Sequence, residues 1–460
     1  MQRLFAIALL TWKAAFRFRL FLVLAVLLLG SVVGLPLLIK DDGTARGFTQ
    51  IVLTYTLGTV SALLGLSTLW LACGTLARDI EECQMQVLAV KPIARWQIWC
   101  GKWLGIMSLN AALLVLCGGS IYGLLRWRAS HLPAEEQLVL RNEVLVARGS
   151  VRPVYPEKEL DRAAEKLLQE RRKTAHISES DLPEARKLIR EQLKTALQVV
   201  PPDSPHWWSI NLGKARLALR DQPLFLRIKF NSADMRTSGT FDGQWLVGNP
   251  GKTPLWRSEV MSLAPETFHE FPIPANLFDD AGMLTVSFYN HNNVSLLFSV
   301  EEGIEVLYRE ASFEVNFLRG LGIIFCWMGL LAALGLAAAS FLSFPVAAFL
   351  ALGILTLVFS TGTMTNALEV GTIADYNSEK GTRSSSAADA VVLPVFRALL
   401  KLISLAKDFS PIDSLSTGRS ITWTQLGLAF SQIVLLLGGA FALFGIAVFT
   451  RRELATAQGP

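Results

Sequence analysis

Six apolar stretches constrain this chain more than any other feature: Leu20–Ile39, Phe48–Leu76, Leu104–Leu125, Leu321–Leu342, Val346–Thr361 and Gln425–Phe449. An apolar run of about 20 residues crosses a bilayer as a helix, because in hydrocarbon a helix satisfies its own backbone. The chain is 52% hydrophobic, with a mean hydropathy of +0.40. That is too apolar for an ordinary soluble protein, and 460 residues is too long for a bundle of spans alone. The fold class expected is a polytopic α-helical membrane protein with six transmembrane helices and an additional extracytoplasmic α+β domain. The net charge of +5 is modest. It fits a positive-inside membrane protein and gives no footprint for nucleic acid.

The additional domain is the insertion 126–319, in which no run is apolar enough to span. Its first part, 126–205, reads as helical. Leu160–Gln169 and Leu182–Val199 carry apolar residues at helical spacing, and Pro201-Pro202-Asp203-Ser204-Pro205 breaks the pattern. Its second part, 206–319, reads as strands: Leu224–Phe230, Gln244–Val247, Thr267–Ile273, Leu284–Tyr289, Ser295–Val300 and Ile304–Tyr308. Turns are expected at Asp242-Gly243, Asn249-Pro250-Gly251 and Asn290-His291-Asn292-Asn293, so a β-sandwich or jelly roll is expected. Trp207-Trp208 are candidates for an outer ligand or interface contact, against the alternative of burial in the domain's core.

The short connections carry the rest. Residues 1–19 alternate apolar and basic, with Leu4, Ile7, Ala8, Thr11, Ala15 and Phe18 able to share one face. This fits an amphipathic helix on the inner leaflet, or the frayed end of the first span. The N-terminal apolar run lacks the small-residue cleavage site of a signal peptide. Arg78–Leu104 reads as a loop between two spans. Arg78, Lys91, Arg95 and Lys102 place it on the cytoplasmic side, and Trp96, Trp99 and Trp103 recur at helical spacing, as in an element lying along the membrane surface. The hairpin Ser340–Pro345 carries no charge, so its inner placement follows only from counting spans. In the outer loop 363–424, Val391–Ala406 is apolar but carries Arg397 and Lys401, which suits an interfacial or re-entrant helix. The last span, 425–450, stops at Thr450-Arg451-Arg452-Glu453, and 451–460 is read as a cytoplasmic tail.

Some of these residues carry a resemblance. Glu81-Glu82, Gln86-Val87-Leu88, Lys91-Pro92-Ile93-Ala94-Arg95 and Gly101-Lys102 resemble the cytoplasmic loop of the six-helix, ABC-2-type permeases of bacterial ABC exporters. Asp408–Leu415, Gly418–Trp423 and Phe449–Ala455 are similar to segments before and after the last span of that family, whereas Cys83-Gln84-Met85-Gln86 departs from its pattern. The resemblance covers the spans 20–125, 320–362 and 425–450 and their short loops, and leaves the insertion aside. It implies a permease subunit in the bacterial inner membrane with both termini cytoplasmic. The implied partners are a separate ABC ATPase subunit, which binds the ATP, and itself or a second permease as a dimer. An envelope partner at the outer domain fits the same picture. Loop 78–103 would be the coupling surface, with Glu81, Glu82, Pro92, Arg95, Gly101 and Lys102 as its candidates, and the cargo would be lipid-like, glycan or peptide. The alternative is a membrane-anchored extracytoplasmic binding or scaffold protein without transport.

Enzyme chemistry finds little footing. Gly251-Lys252-Thr253 resembles the tail of a P-loop, but Leu246 stands where the loop's first glycine belongs. His131, His176, His206, His269 and His291 are scattered, and Asp279-Asp280-Ala281-Gly282 lacks the spacing of a calcium loop. No Gly-x-Ser-x-Gly elbow occurs, so no catalytic residue, cofactor or metal site is expected in the chain itself. The five cysteines lie in or beside apolar runs and offer the insertion no disulfide framework. The near absence of charge in the spans disfavours an ion-coupled carrier.

Overall fold

The computed structural model describes residues 2–17, 20–38, 45–82, 93–133, 137, 140, 145–153, 157–174, 182–233, 239–300, 302–370, 389–407 and 409–452. Expectations that fall on 40–43, on Pro92 and the rest of 83–92, and on 453–460 lie outside the described residues. The chain forms two compact units, one from 1–147 with 311–460 and one from 148–310.

In chain order the helices are α1 (Gln2–Arg17), α2 (Leu20–Leu38), α3 (Ala45–Ile51), α4 (Gly58–Glu81), α5 (Arg95–Ala129), α6 (Glu157–Thr174), α7 (Leu182–Ala196), α8 (Phe313–Ala339), α9 (Phe344–Phe359), α10 (Thr361–Val370), α11 (Asp389–Lys407), α12 (Pro411–Ser416), α13 (Trp423–Ala429) and α14 (Gly439–Arg451). A π-helical turn, Val52–Leu57, joins α3 to α4, and another, Phe430–Gly438, joins α13 to α14. Four continuous helical stretches are long and apolar enough to cross a membrane: Thr49–Glu81, Arg95–Ala129, Phe313–Ala339 and Trp423–Arg451. Leu22–Pro36 in α2 and Phe344–Val358 in α9 are apolar but shorter.

Helix α8 is the centre of the helical unit. It is apolar nearly all round, and its small residues let neighbours approach closely. A Cβ on Gly335 would stand 2.7 Å from the Ala72 Cβ of α4. Thr68 of α4 lies 3.6 Å from the Met328 sulfur of α8, so these two helices run parallel. Helix α5 runs against them. Its Trp103 donates to the Gly329 carbonyl at 3.0 Å, and its Gly118 lies under Leu321.

The structure corrects the reading of Arg78–Leu104 as a loop. Helix α4 continues through Glu81, and α5 already begins at Arg95. Trp96, Trp99 and Trp103 belong to the first turns of a 35-residue helix and do not form a separate surface element. Trp99 is buried, and only Trp96 is well exposed. Helices α5 and α8 therefore begin earlier than the apolar stretches Leu104–Leu125 and Leu321–Leu342 indicated, because polar and aromatic residues at their starts find partners on neighbouring helices. The segment after Thr361 is partly helical, with α10, α11 and α12.

The second unit holds α6, α7 and the strands β1 (Val146–Val151), β2 (Val199–Val200), β3 (Pro205–Asn211), β4 (Leu224–Ile228), β5 (Asn231–Ser232), β6 (Phe241–Val247), β7 (Trp256–Arg257), β8 (Met261–Leu263), β9 (His269–Ile273), β10 (Met283–Asn290), β11 (Leu296–Leu297) and β12 (Ile304–Ser312). They form a four-stranded sheet in the order β1-β12-β4-β9, a five-stranded sheet β3-β10-β6-β7 with β8 also on β6, and a small sheet β2-β11-β5. Paired strands are antiparallel, with Val286 opposite both Trp208 and Val247. Alternation sends Leu224, Leu226, Ile228, Ile304 and Val306 of one sheet, and Trp208, Ile210, Trp245, Leu284 and Phe288 of the other, into one core. Asp242-Gly243 is a correction: both residues lie inside β6, where the Phe288 ring occupies the space a Gly243 Cβ would need. β1, β2 and the start of β3 lie within 126–205, where helix was expected, and β5, β7 and β8 lie where no strand was assigned.

Candidate functional site

The residues singled out at 78–103 lie at one end of the helical unit, where five helix termini meet. Three of those termini, of α4, α8 and α14, are C-terminal ends whose last carbonyls lack helical partners, and these attract cations. The Arg95 guanidinium donates through Nη1 to the carbonyls of Phe449, Thr450 and Arg452 at 2.8, 2.8 and 2.6 Å, closing the end of α14. Arg452 in turn donates to the Ser340 carbonyl at the end of α8, at 3.2 Å. The start of α9 has the opposite need, and the Glu81 carboxylate accepts from the Phe344 N–H at 2.8 Å. Arg78 stacks over the Phe344 ring, 4.5 Å from its centroid. The uncharged hairpin 340–344 is thereby tied to the same end as Glu81, Arg95 and Arg452.

Lys102 is 6% exposed and bonds Asp79 at 2.5 Å and the Thr75 carbonyl at 2.8 Å. This is a cross-brace between the last turn of α4 and the second turn of α5. Gly101 performs a different task. A Cβ there would stand 2.7 Å from the Ile7 Cβ, and one on Gly105 2.7 Å from the Thr11 Cβ. The glycines open a groove on α5 that receives the Ile7, Thr11 and Ala15 stripe of α1, and Trp12 donates to the Ser108 hydroxyl at 2.6 Å. The opposite side of α1 keeps Phe5, Leu9, Leu10 and Phe16 exposed. Helix α1 is thus a strap on α5 with an outward apolar face.

Of the predicted residues, Glu81, Arg95, Gly101 and Lys102 therefore converge on one end, and Gly101 and Lys102 point inward there. Glu82 is exposed at the end of α4, and Pro92 lies outside the described residues. Sequence reasoning passed over Asp79, Thr75 and Arg452. Asp79 lies within Arg78–Leu104, and only the structure shows that it answers Lys102. In the second unit the tryptophan pair divides. Trp208 is 3% exposed and packs 5.2 Å from the Phe298 ring, which removes it from the surface. Trp207 is 62% exposed on the outer face of β3. Gly251, at φ +78°, closes a turn after β6, and Asp279 accepts the Gly282 N–H in another. Among the described residues no three His, Cys, Asp or Glu side chains gather as metal ligands.

The far end of the helical unit is built differently. Arg126 and Tyr122 of α5 both bond Glu314 of α8, at 3.0 and 3.1 Å. Asn316 of α8, 1% exposed, donates to the Arg419 carbonyl and accepts the Ile421 N–H at 2.9 and 2.7 Å. Arg319 donates to the Ile421 carbonyl at 2.8 Å. No family model, no curated protein and no solved structure matches the chain.

Proposed function

We propose that this protein is the membrane-spanning permease subunit of an ATP-driven transporter, worked by separate ATPase chains. The observation that carries the reading is the braced end at Glu81, Arg95, Lys102 and Arg452. Five helix termini and the strap α1 are tied there by directional bonds, so a push on that end is delivered to every helix it holds. A two-state rigid-body change driven from outside the spans needs such a plate. In this reading α2 and α9 join the four longer helices as six spans, α1 and Glu82 face the cytoplasm of a bacterial cell, and the permease pairs with a second copy or a sister chain. The insertion 148–310 then lies outside the cytoplasm, because α5 ends and α8 begins at the far end, where Arg126 meets Glu314. Its two facing antiparallel sheets are read as a β-sandwich that receives or hands over a lipid-like, glycan or peptide cargo.

A second reading keeps the outer unit as the working part and the helices as its anchor. It draws on exposed Trp207, whose indole is free to stack on a ligand. Affinity purification of the full chain in mild detergent, followed by mass spectrometry and an ATPase assay, separates the two. The permease reading expects a co-purified ATPase with a complete P-loop. A chain that purifies with envelope proteins and no ATPase overturns it in favour of the anchor.

A further inference from the structure

Arg319 holds a positive charge for which no negative partner stands among the described residues. It lies in the second turn of α8 and is 8% exposed. Its described polar contact is the single bond to the Ile421 carbonyl, and its guanidinium carbon stands 4.6 Å from the centroid of the Trp423 ring. Its Nε is buried without a hydrogen-bond partner, and among the described residues no carboxylate lies within ion-pair distance. Burying a guanidinium with one acceptor is costly unless something else completes it. Beside it, the Ser420 hydroxyl is also buried and unpartnered. The backbone at Ser420 is held in place, because Asn316 takes the Arg419 carbonyl and the Ile421 N–H on either side of it. The turn is fixed from below as well. Gly418 sits at φ +70°, the Arg419 N–H returns to the Ser414 carbonyl at 2.7 Å, and Leu415 packs against the bare Gly320.

The Arg319 guanidinium, with one carbonyl acceptor, and the unpartnered Ser420 hydroxyl thus lie on either side of the contact that α8 makes with Ser420-Ile421, and their depth identifies what meets them. Arg319 lies near the start of one membrane-length helix, and Trp423 is the first residue of another. Trp423 is 61% exposed, as an indole at the boundary of headgroups and acyl chains would be. At that depth the abundant anion is a lipid phosphate. We infer that Arg319, Ser420 and Trp423 form a site for the phosphate of one phospholipid. The guanidinium and the hydroxyl would bind the phosphate oxygens, and the indole would lie against the glycerol and upper acyl chain. The inference rests on these helices crossing a membrane and is independent of what the protein transports.

The test is native mass spectrometry of the full chain, purified in mild detergent and stripped of lipid. The chain is titrated with phosphatidylglycerol, with diacylglycerol of the same acyl chains, and with inorganic phosphate. Phosphatidylglycerol should bind, and diacylglycerol should bind at least about tenfold more weakly. Arg319→Met should weaken the tightest lipid class about tenfold, Ser420→Ala about threefold, and Arg319→Lys less than Arg319→Met. Ser420→Ala removes a single atom and leaves the backbone bonds of the turn in place, so it keeps the test intact if Arg319→Met does not fold. Equal binding of diacylglycerol, or unchanged phosphatidylglycerol binding in a folded variant, overturns the lipid site. So does saturation by inorganic phosphate with no preference for the lipid, which would make this a site for a free anion.

Discussion

The two ends of the helical unit each hold a buried cation, Lys102 and Arg319, and surround it differently. At the Glu81 end four cations have a stated counterpart. Lys102 has Asp79 and the Thr75 carbonyl, Arg95 has three carbonyls of α14, Arg452 has the end of α8, and Arg78 has the Phe344 ring. At the far end Arg319 is as buried as Lys102 but has one carbonyl and one ring. The first arrangement is a brace, complete in itself. The second is complete only when something arrives. The lesson is that buried charge has no single meaning in a membrane-sized helical unit, and its partners decide whether it stabilises or recruits.

The comparison can be broken by removing the charge at each end. Lys102→Met should cost about 2–3 kcal/mol in thermal unfolding in detergent, because Asp79 is left beside an apolar wall. The figure sits below that for a fully buried pair, since the Asp79 side chain is 27% exposed. Adding Asp79→Leu should recover most of the loss. If Lys102→Met alone is neutral, the brace is not one.

Gly105→Leu tests whether α1 is strapped to that same end, since a side chain there would overlap Thr11 and the Ala8 carbonyl. Overpacking of this kind costs about 1–3 kcal/mol. A short bifunctional thiol reagent that spans the reach of the Trp12 indole should bridge Trp12→Cys and Ser108→Cys, and the yield should fall about fivefold or more with Gly105→Leu. Unchanged cross-linking would mean that α1 finds another seat.

Arg319→Met gives the opposite expectation from Lys102→Met. In lipid-free detergent it should shift stability by less than about 1 kcal/mol, because the lost bond and ring contact are offset by relief of a buried unpaired charge. A loss as large as that of Lys102→Met would erase the difference between the ends.

The smallest effect is a control in the second unit. Burial against Trp208 lowers the His206 pKa from its ordinary value. The folded state therefore resists a proton that the unfolded chain accepts near pH 6.5. Stability is full above that pH and declines as pH falls toward the folded value, and His206→Gln should flatten this part of the profile in a pH series of melting curves. An unchanged slope in the variant would place the titrating group elsewhere.

Hydropathy made the helices legible, because apolar length is a local property. Their ends were not legible. Arg78–Leu104 carries charge and tryptophan, which reads as a loop, yet Lys102 lies inside a helix because Asp79 from another helix answers it. That pairing is long-range and leaves no local mark. The strands with clear alternation, such as Leu224–Ile228 and Met283–Asn290, could be read. Pro205–Asn211 was hidden by its opening proline, and Asp242-Gly243 looked like a turn because the Phe288 ring that tolerates a bare glycine comes from a neighbouring strand. The candidate coupling residues were found as a stretch, but which of them face inward followed only from the groove for α1 and the ion pair.

The measurement that tests the central claim most directly is site-specific photocrosslinking in cells at Glu82, the exposed residue that closes α4 at the braced end. The account predicts a cross-link to a soluble ATPase carrying a complete P-loop, lost when α1 is dislodged by Gly105→Leu. Cross-links confined to lipid or to proteins outside the cytoplasm would contradict it.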